Sequence, residues 1–257
     1  MKKLIDIKKA QEKFINFTKN YDLTERKIKM KQTHSIRVMN VMKKLAEGIG
    51  LNQEDIELAK LIGLLHDIGR FDQYTKYKTY KDHLSIDHAD LGAEILFSQN
   101  QIKEYTEDEK DYEVIKKAIV NHNKYELNTN ELTEREELFC KLIKDADKID
   151  IMYEGIEIFW KNKEEELEKQ EICDEVYKSF LNKKLIKNEM KKSELDKMVG
   201  MISFIYDFNF KQSYKYIQEK NFIEKMLNRF NFENEETKRR FNEIQKLADK
   251  YIEQKLK

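Results

Sequence analysis

Leu61-Ile62-Gly63-Leu64-Leu65-His66-Asp67-Ile68-Gly69-Arg70 is the stretch on which the reading of this chain turns. A mostly apolar run reads as a buried helix, and it ends in an adjacent histidine and aspartate followed by a glycine. Ionisable groups at such a place are costly unless a bound cation or an opposite charge compensates their burial. His66 and Asp67 are therefore candidate metal ligands. The four other histidines, His34, His83, His88 and His122, become candidates for the same site.

The chain has 257 residues, enough to bury a real core, and carries 49 basic against 49 acidic side chains. That balance gives no reason to expect a polyanion-binding surface and disfavours long nucleic acid as a partner. Proline is absent and glycine numbers only 7, while Lys, Glu, Ile and Leu abound, so an all-α protein is expected. Cys140 and Cys173 form no CxxC pair and read as free thiols in a reducing compartment. No apolar run approaches the roughly 20 residues needed to span a bilayer, and Met1-Lys2-Lys3-Leu4 is followed by Asp6 and Lys8 rather than an apolar core. A soluble, cytoplasmic protein is expected.

Working outward, Leu4, Ile7, Ala10, Phe14 and Phe17 recur at helical spacing and predict a first helix to about Tyr21. A second helix runs from after Asp22 toward Gly48 and Gly50, with His34, Val38, Val41 and Leu45 on one face. Asn52 and Asp55 open the helix that holds the decisive stretch, with Gly69 as its expected C-terminal cap. Arg70 to Ile86 reads as a long polar and aromatic connection containing Asp72, Gln73, Tyr74 and His83. Ser85 or Asp87 then caps a helix with His88 in its first turn. Thr106 to Glu109 has the form of a capping box, opening a helix that carries His122 near its end, and Thr133 to Glu136 repeats the signal. The helix that follows delivers Asp145, Asp147 and Asp150. Beyond Ile151, the stretches 193–206, 213–218 and 235 to the C-terminus read as amphipathic helices, with Trp160, Phe204, Tyr206, Phe208 and Phe210 as core aromatics.

Four histidines thus lie on the inward face or apolar end of separate helices, and packed helices can bring such groups to one centre. His34, His66, Asp67, His88, His122 and one of the later aspartates make six nitrogen and oxygen donors. That is too many for a closed tetrahedral site and suits two metals.

The order and spacing resemble the HD superfamily of metal-dependent phosphohydrolases, whose signature is a histidine, a His-Asp pair and a distant aspartate. His34, His66-Asp67 and Asp147 supply it here, and His66-Asp67-Ile68-Gly69-Arg70 looks like the HDIG motif followed by a basic residue. The likeness covers about Thr33 to Asp150. It implies that Asp147 is the ligand among the three aspartates, with Asp145 and Asp150 as orienting or ion-pairing groups. His88-Ala89-Asp90-Leu91-Gly92-Ala93-Glu94-Ile95-Leu96 resembles the helix that supplies a further histidine in the binuclear branch. Asn121-His122-Asn123 stands where HD-GYP phosphodiesterases have two adjacent histidines; the GYP motif is missing, so cyclic dinucleotide cleavage is not implied.

What the resemblance implies is an HD-domain helical bundle with additional C-terminal helices: one domain over 1–257, its metal-binding core about 24–160 and a helical extension about 174–257. The implied activity is hydrolysis of a small phosphate ester, such as a nucleotide, with two divalent ions, Mn or Fe first and Mg, Co, Ni or Zn also compatible. Asp67 is the natural bridging ligand because a carboxylate has two oxygens. Arg70, with Asp67, is the catalytic candidate, positioned to pair with a substrate phosphate; Lys124 is a second cation for that task. The same ligand set resembles HD-type di-iron oxygenases, and a metal-containing nucleotide-binding regulatory module is a third reading.

Overall fold

Helix is the only regular structure among residues 5–257, which the computed structural model describes. The chain divides into two compact units, one ending at Asp147 and the other running from Lys148 to Lys257. Among the described residues, no helix is long and apolar enough to cross a membrane.

In the first unit α1 (Ile7–Thr18) is capped by Asp6, which accepts from the Lys9 amide at 3.0 Å, and it buries Ala10, Phe14 and Thr18. It is shorter than the predicted helix at both ends, and Leu4 lies outside the described residues. At its C-terminal end the Thr18 hydroxyl turns back to the Ile15 carbonyl and accepts from Gln32. Next come α2 (Arg26–Gly48) and α3 (Gln53–Leu65), the latter capped by Asn52, whose side-chain oxygen accepts from the Asp55 amide at 3.0 Å. Gly63 lets these two helices close on each other, because a Cβ there would lie 2.8 Å from Met42 Cγ and 2.9 Å from Met39 Cα. That approach carries His34 of α2 to the end of α3, where His66 sits.

Gly69 does not cap α3. The helix stops at Leu65, and Gly69 instead begins α4 (Gly69–Tyr77), so that half of the predicted long connection is helical. The glycine is required for contact rather than for a turn: a Cβ would fall 2.2 Å from the His88 carbonyl oxygen and 2.6 Å from the Gly92 amide, both on α5 (His88–Ala93). Periodicity missed α4 because its buried face is Phe71, Gln73 and Tyr74, two of them polar or amphipathic. Phe71 gathers the rings of Phe14, Phe17 and Tyr21 at centroid distances of 5.3 to 5.9 Å, closing α1 over α4.

Asp87, not Ser85, caps α5 by accepting from the Ala89 and Asp90 amides. The predicted box at Thr106 is not formed as such. Thr106 accepts from the Asp108 amide, Asp108 caps one 3₁₀ turn, and α6 (Tyr112–Asn121) opens only at Tyr112. The box at Thr133 is realised: the Thr133 amide donates to Glu136 at 2.7 Å and the Glu136 amide to the Thr133 hydroxyl at 3.3 Å. It opens α7 (Glu134–Glu154), which delivers the aspartates.

In the second unit the end of α7 passes into a π turn (Gly155–Phe159), and a Cβ on Gly155 would meet the buried Trp160 ring at 2.7 Å. The helices α8 (Glu164–Glu168), α9 (Asp174–Leu181), α10 (Glu194–Ile202), α11 (Lys211–Glu219), α12 (Phe222–Leu227) and α13 (Glu235–Leu256) follow. Ser193 and Asp196 form a reciprocal capping box on α10, and α13 buries Phe241, Ile244, Ala248 and Ile252 as its periodicity predicts. Cys140 is buried and Cys173 half-buried, each a free thiol.

Candidate metal centre

Within the first unit, five segments bring one nitrogen or oxygen donor or more each to a common cluster. His34 comes from the middle of α2, His66 and Asp67 from the end of α3, His88 from the start of α5, His122 from the end of α6 and Asp147 from α7. All four imidazoles and Asp67 are buried, whereas the Asp147 side chain is 18% exposed.

Asp67 divides the group. Its Oδ1 lies 3.2 Å from His88 Nε2 and 3.5 Å from His122 Nε2. Its Oδ2 lies 3.5 Å from His34 Nε2 and 3.7 Å from His66 Nε2. Asp147 joins the second pair through Oδ1, 3.1 Å from His34 Nε2 and 3.6 Å from His66 Nε2. Within each pair the ring nitrogens face each other, His34 and His66 at 3.2 Å and His88 and His122 at 3.0 Å.

The tautomers follow from the other ring nitrogen. His66 Nδ1 lies 2.8 Å from the Gly63 carbonyl and His122 Nδ1 2.6 Å from the Ile119 carbonyl; a carbonyl only accepts, so each Nδ1 carries the proton. His88 Nδ1 likewise meets the Asp82 carboxylate at 2.9 Å. In these three rings Nδ1 holds the donated proton, so Nε2 is the nitrogen turned toward the neighbouring ring and the carboxylates. Two ring nitrogens 3 Å apart need a proton or a metal ion between them, and imidazole held through its second nitrogen is the common form of a metal ligand. The donor set therefore fits divalent metal: Asp67 with His34 and His66, and Asp67 with His88 and His122, are each close enough to share an ion.

The electrostatics agree. Burial would raise the Asp67 carboxyl, but Lys31 and the surrounding imidazoles outweigh it and hold the group well below the usual carboxylate range. Asp147 is held low in the same way by His34 and His66. Burial, with His88 and His66 adding to it, pushes His122 down to about 4. After metal is stripped by chelation, this shift has a definite sign. Between pH 6.5 and about 4 the unfolded chain takes up a proton on His122 that the folded chain refuses, so stability falls as pH falls, by up to roughly 3 kcal/mol. Asp67 and Asp147 lose their contribution only as pH falls further, below about 4. Urea midpoints of the stripped protein at pH 7 and 4.5 measure the loss, and His122→Asn is expected to flatten it.

Arg70, on α4, gives Nη1 to Gln73, to the Tyr80 carbonyl and to Asp82, at 2.7 to 2.9 Å. Its Nε is buried 3.5 Å from Asp67 Oδ1. Lys124 is ion-paired with Asp87 at 2.7 Å. His83 is exposed on the turn before α5 and stands apart from the other four histidines. Asp145 and Asp150 are buried.

Two residues of the site had not been singled out from sequence. Lys31 places Nζ 2.8 Å from Asp67 Oδ2; it lies three residues before His34, a spacing that puts both on one face of α2 and was legible. Asp82 joins His88, Arg70 and Gln73, and no local pattern marks it because its partners come from two other segments. Burial raises its carboxyl, but the His88 and Arg70 contacts prevail and hold it low.

Residues 32–152 match the family described as HD domain. The chain is also similar to Ribonuclease Y of Fusobacterium nucleatum subsp. nucleatum, at 30% identity over 142 residues, covering 49% of this chain and 24% of that protein. The chain thus spans about a quarter of the length of the relative it matches. No solved structure is a significant match.

Proposed function

The chain belongs to the HD superfamily through residues 32–152, and from that premise we propose that it hydrolyses a small phosphate ester, such as a nucleotide, at a binuclear His/Asp centre. HD domains are a family of metal-dependent phosphohydrolases that bind divalent metals. In this reading His34, His66, Asp147 and Asp67 would hold one divalent ion, and His88, His122 and Asp67 would hold a second. The observation that carries it is the division of Asp67 between two imidazole pairs, with Nε2 of every ring turned toward it. Six oxygen and nitrogen donors suit manganese or iron, with magnesium, cobalt, nickel and zinc also compatible.

Two such ions supply Lewis-acid activation of a water and neutralise charge on the phosphoryl oxygens. The chain's own part is preorganisation. The Gly63 and Ile119 carbonyls and the Asp82 carboxylate fix three imidazoles, so no reorientation is needed when substrate arrives. Asp67 stays ionised although buried. Arg70 steadies the segment before α5 through Asp82 and turns Nε toward Asp67, as the catalytic partner of that carboxylate.

Substrate size follows from access and charge. The imidazoles and Asp67 are almost wholly buried, and Asp147 is 18% exposed, so a compact phosphoryl group suits the site better than a polymer. The equal numbers of acidic and basic residues support the same choice. The free thiols accord with the reducing cytoplasm, where we place the protein. The test is metal quantification followed by a panel of phosphomonoesters, nucleotides and an RNA oligonucleotide under manganese without oxygen. Metal-dependent phosphate release from a small ester is expected. Absence of release from every member overturns the reading, and oxygen consumption by the iron-loaded protein would replace it with the oxygenase.

A further inference from the structure

We infer that Lys31 is the cation that receives the substrate's phosphoryl group, an assignment that rests on the phosphohydrolase reading and adds a residue to it. Among the described residues, Lys31, Arg70 and Lys124 are cations near the centre, and their partners separate them. Arg70 commits Nη1 to three acceptors, among them the Asp82 carboxylate, and only its buried Nε faces Asp67, at 3.5 Å from Oδ1. Lys124 is paired with Asp87, the cap of α5. Lys31 is paired with Asp67 Oδ2 at 2.8 Å, a carboxylate that the metals would claim.

That difference decides what each cation does once the centre is loaded. Two divalent ions bring four positive charges against the two carboxylates Asp67 and Asp147, the imidazoles being neutral. The centre is then net positive, and the carboxylate facing Lys31 is shared with metal. An ammonium beside such a centre is repelled unless an anion comes between them, and a phosphate dianion restores the balance. Arg70 keeps its Nη1 partners and Lys124 its Asp87 partner under the same change, since Asp82 lies behind His88 and Asp87 caps α5.

Access points the same way. Lys31 is 14% exposed and Asp147 18%, against 3% or less for Asp67 and the four imidazoles. An incoming anion therefore reaches the Lys31 ammonium before the ligands behind it, while Arg70, equally exposed at 15%, keeps Nη1 on Gln73, Tyr80 and Asp82. The position of the ammonium is supported from the side: Nζ lies 5.7 Å from the centre of the Tyr80 ring, whose hydroxyl donates to the Lys27 carbonyl at 2.9 Å. A lysine serves here as a compact charge that can leave one anion for another without refitting a planar fork.

Inorganic phosphate is the probe. Binding to the metal-loaded protein is followed by calorimetry, and metal content is measured on the same samples. Lys31→Ala is expected to keep wild-type metal content and to weaken phosphate binding roughly 10- to 100-fold, whereas Lys31→Arg stays within about threefold of wild type. Where the ester panel yields a substrate, KM should rise in parallel with the phosphate dissociation constant and kcat should change less. Lys31→Gln replaces the alanine variant if far-UV circular dichroism shows the latter unfolded. Wild-type phosphate affinity in Lys31→Ala overturns the assignment, as does loss of metal in that variant or absence of phosphate binding to the loaded wild type. If phosphate binds through Lys31 while no ester is cleaved, the anion site stands and the hydrolase reading falls.

Discussion

Asp67→Ala is expected to retain neither metal ion and to lower phosphoester turnover by roughly a thousandfold or more, while keeping the helical content of the wild type. The reason is geometric: one oxygen of Asp67 faces His88 and His122, and the other faces His34 and His66, so a single truncation removes a donor from both groups. Elemental analysis after gel filtration reads the metal, and far-UV circular dichroism reads the fold. Truncation also strips Lys31 of its partner. Because that ammonium is 14% exposed and can reach water, the stability cost is expected to be about 1–3 kcal/mol, below that of a fully buried broken pair. Lys31→Met combined with Asp67→Ala should recover most of that stability without recovering metal. The pair of variants thus separates a ligand from a merely structural charge. A folded Asp67→Ala protein that keeps two ions and full turnover would sink the shared-site proposal.

How much of this could be read from the chain alone differed by the kind of signal. Long helices with strict apolar periodicity, such as 26–48 and 235–256, and local caps such as Asn52 and the Thr133–Glu136 box, appear where expected because their determinants lie within a few residues. The four converging histidines were legible for a related reason: each sits at a helix face or end that the pattern turns inward. Gly69 was misread because the same glycine serves two uses; the sequence signal for a C-cap cannot be told from the need for close approach to α5. Residues 70–77 looked like a connection because their buried positions include Gln73, whose side chain is satisfied by Asp82, Ser85 and the Ile86 carbonyl. Asp82 and the short helices α8, α9 and α12 depend on partners distant in sequence, and periodicity over one or two turns carries too little signal to find them.

His88→Ala is the variant that tests the number of ions. It is expected to lower metal content from two ions per chain to one and to reduce turnover by roughly a hundredfold or more, since a single remaining ion cannot clamp both the attacking and leaving oxygens. The two groups are unequal in a way that makes the loss selective. Nε2 of His34 and His66 has Asp147 beside it as well as Asp67, whereas Nε2 of His88 and His122 has Asp67, Asp82 lying on the far nitrogen of His88. The ion of the second group should therefore leave first. Asp82→Asn supplies the graded counterpart: it leaves His88 in place but removes the charge that fixes its Nδ1 proton, and an affinity loss of roughly 10- to 100-fold for one ion is expected. Calcium-free metal titrations of the two variants should then show one unchanged site and one absent or weakened site. If the intact protein holds a single ion, and neither His88→Ala nor His122→Ala changes that number, the binuclear assignment is wrong and the second pair of imidazoles must be held by protons rather than metal. If either variant loses both ions together, Asp67 is coupling the two positions so strongly that they fill as one, and the stoichiometry of Asp82→Asn decides between cooperative loss and a collapse of the α4–α5 contact at Gly69.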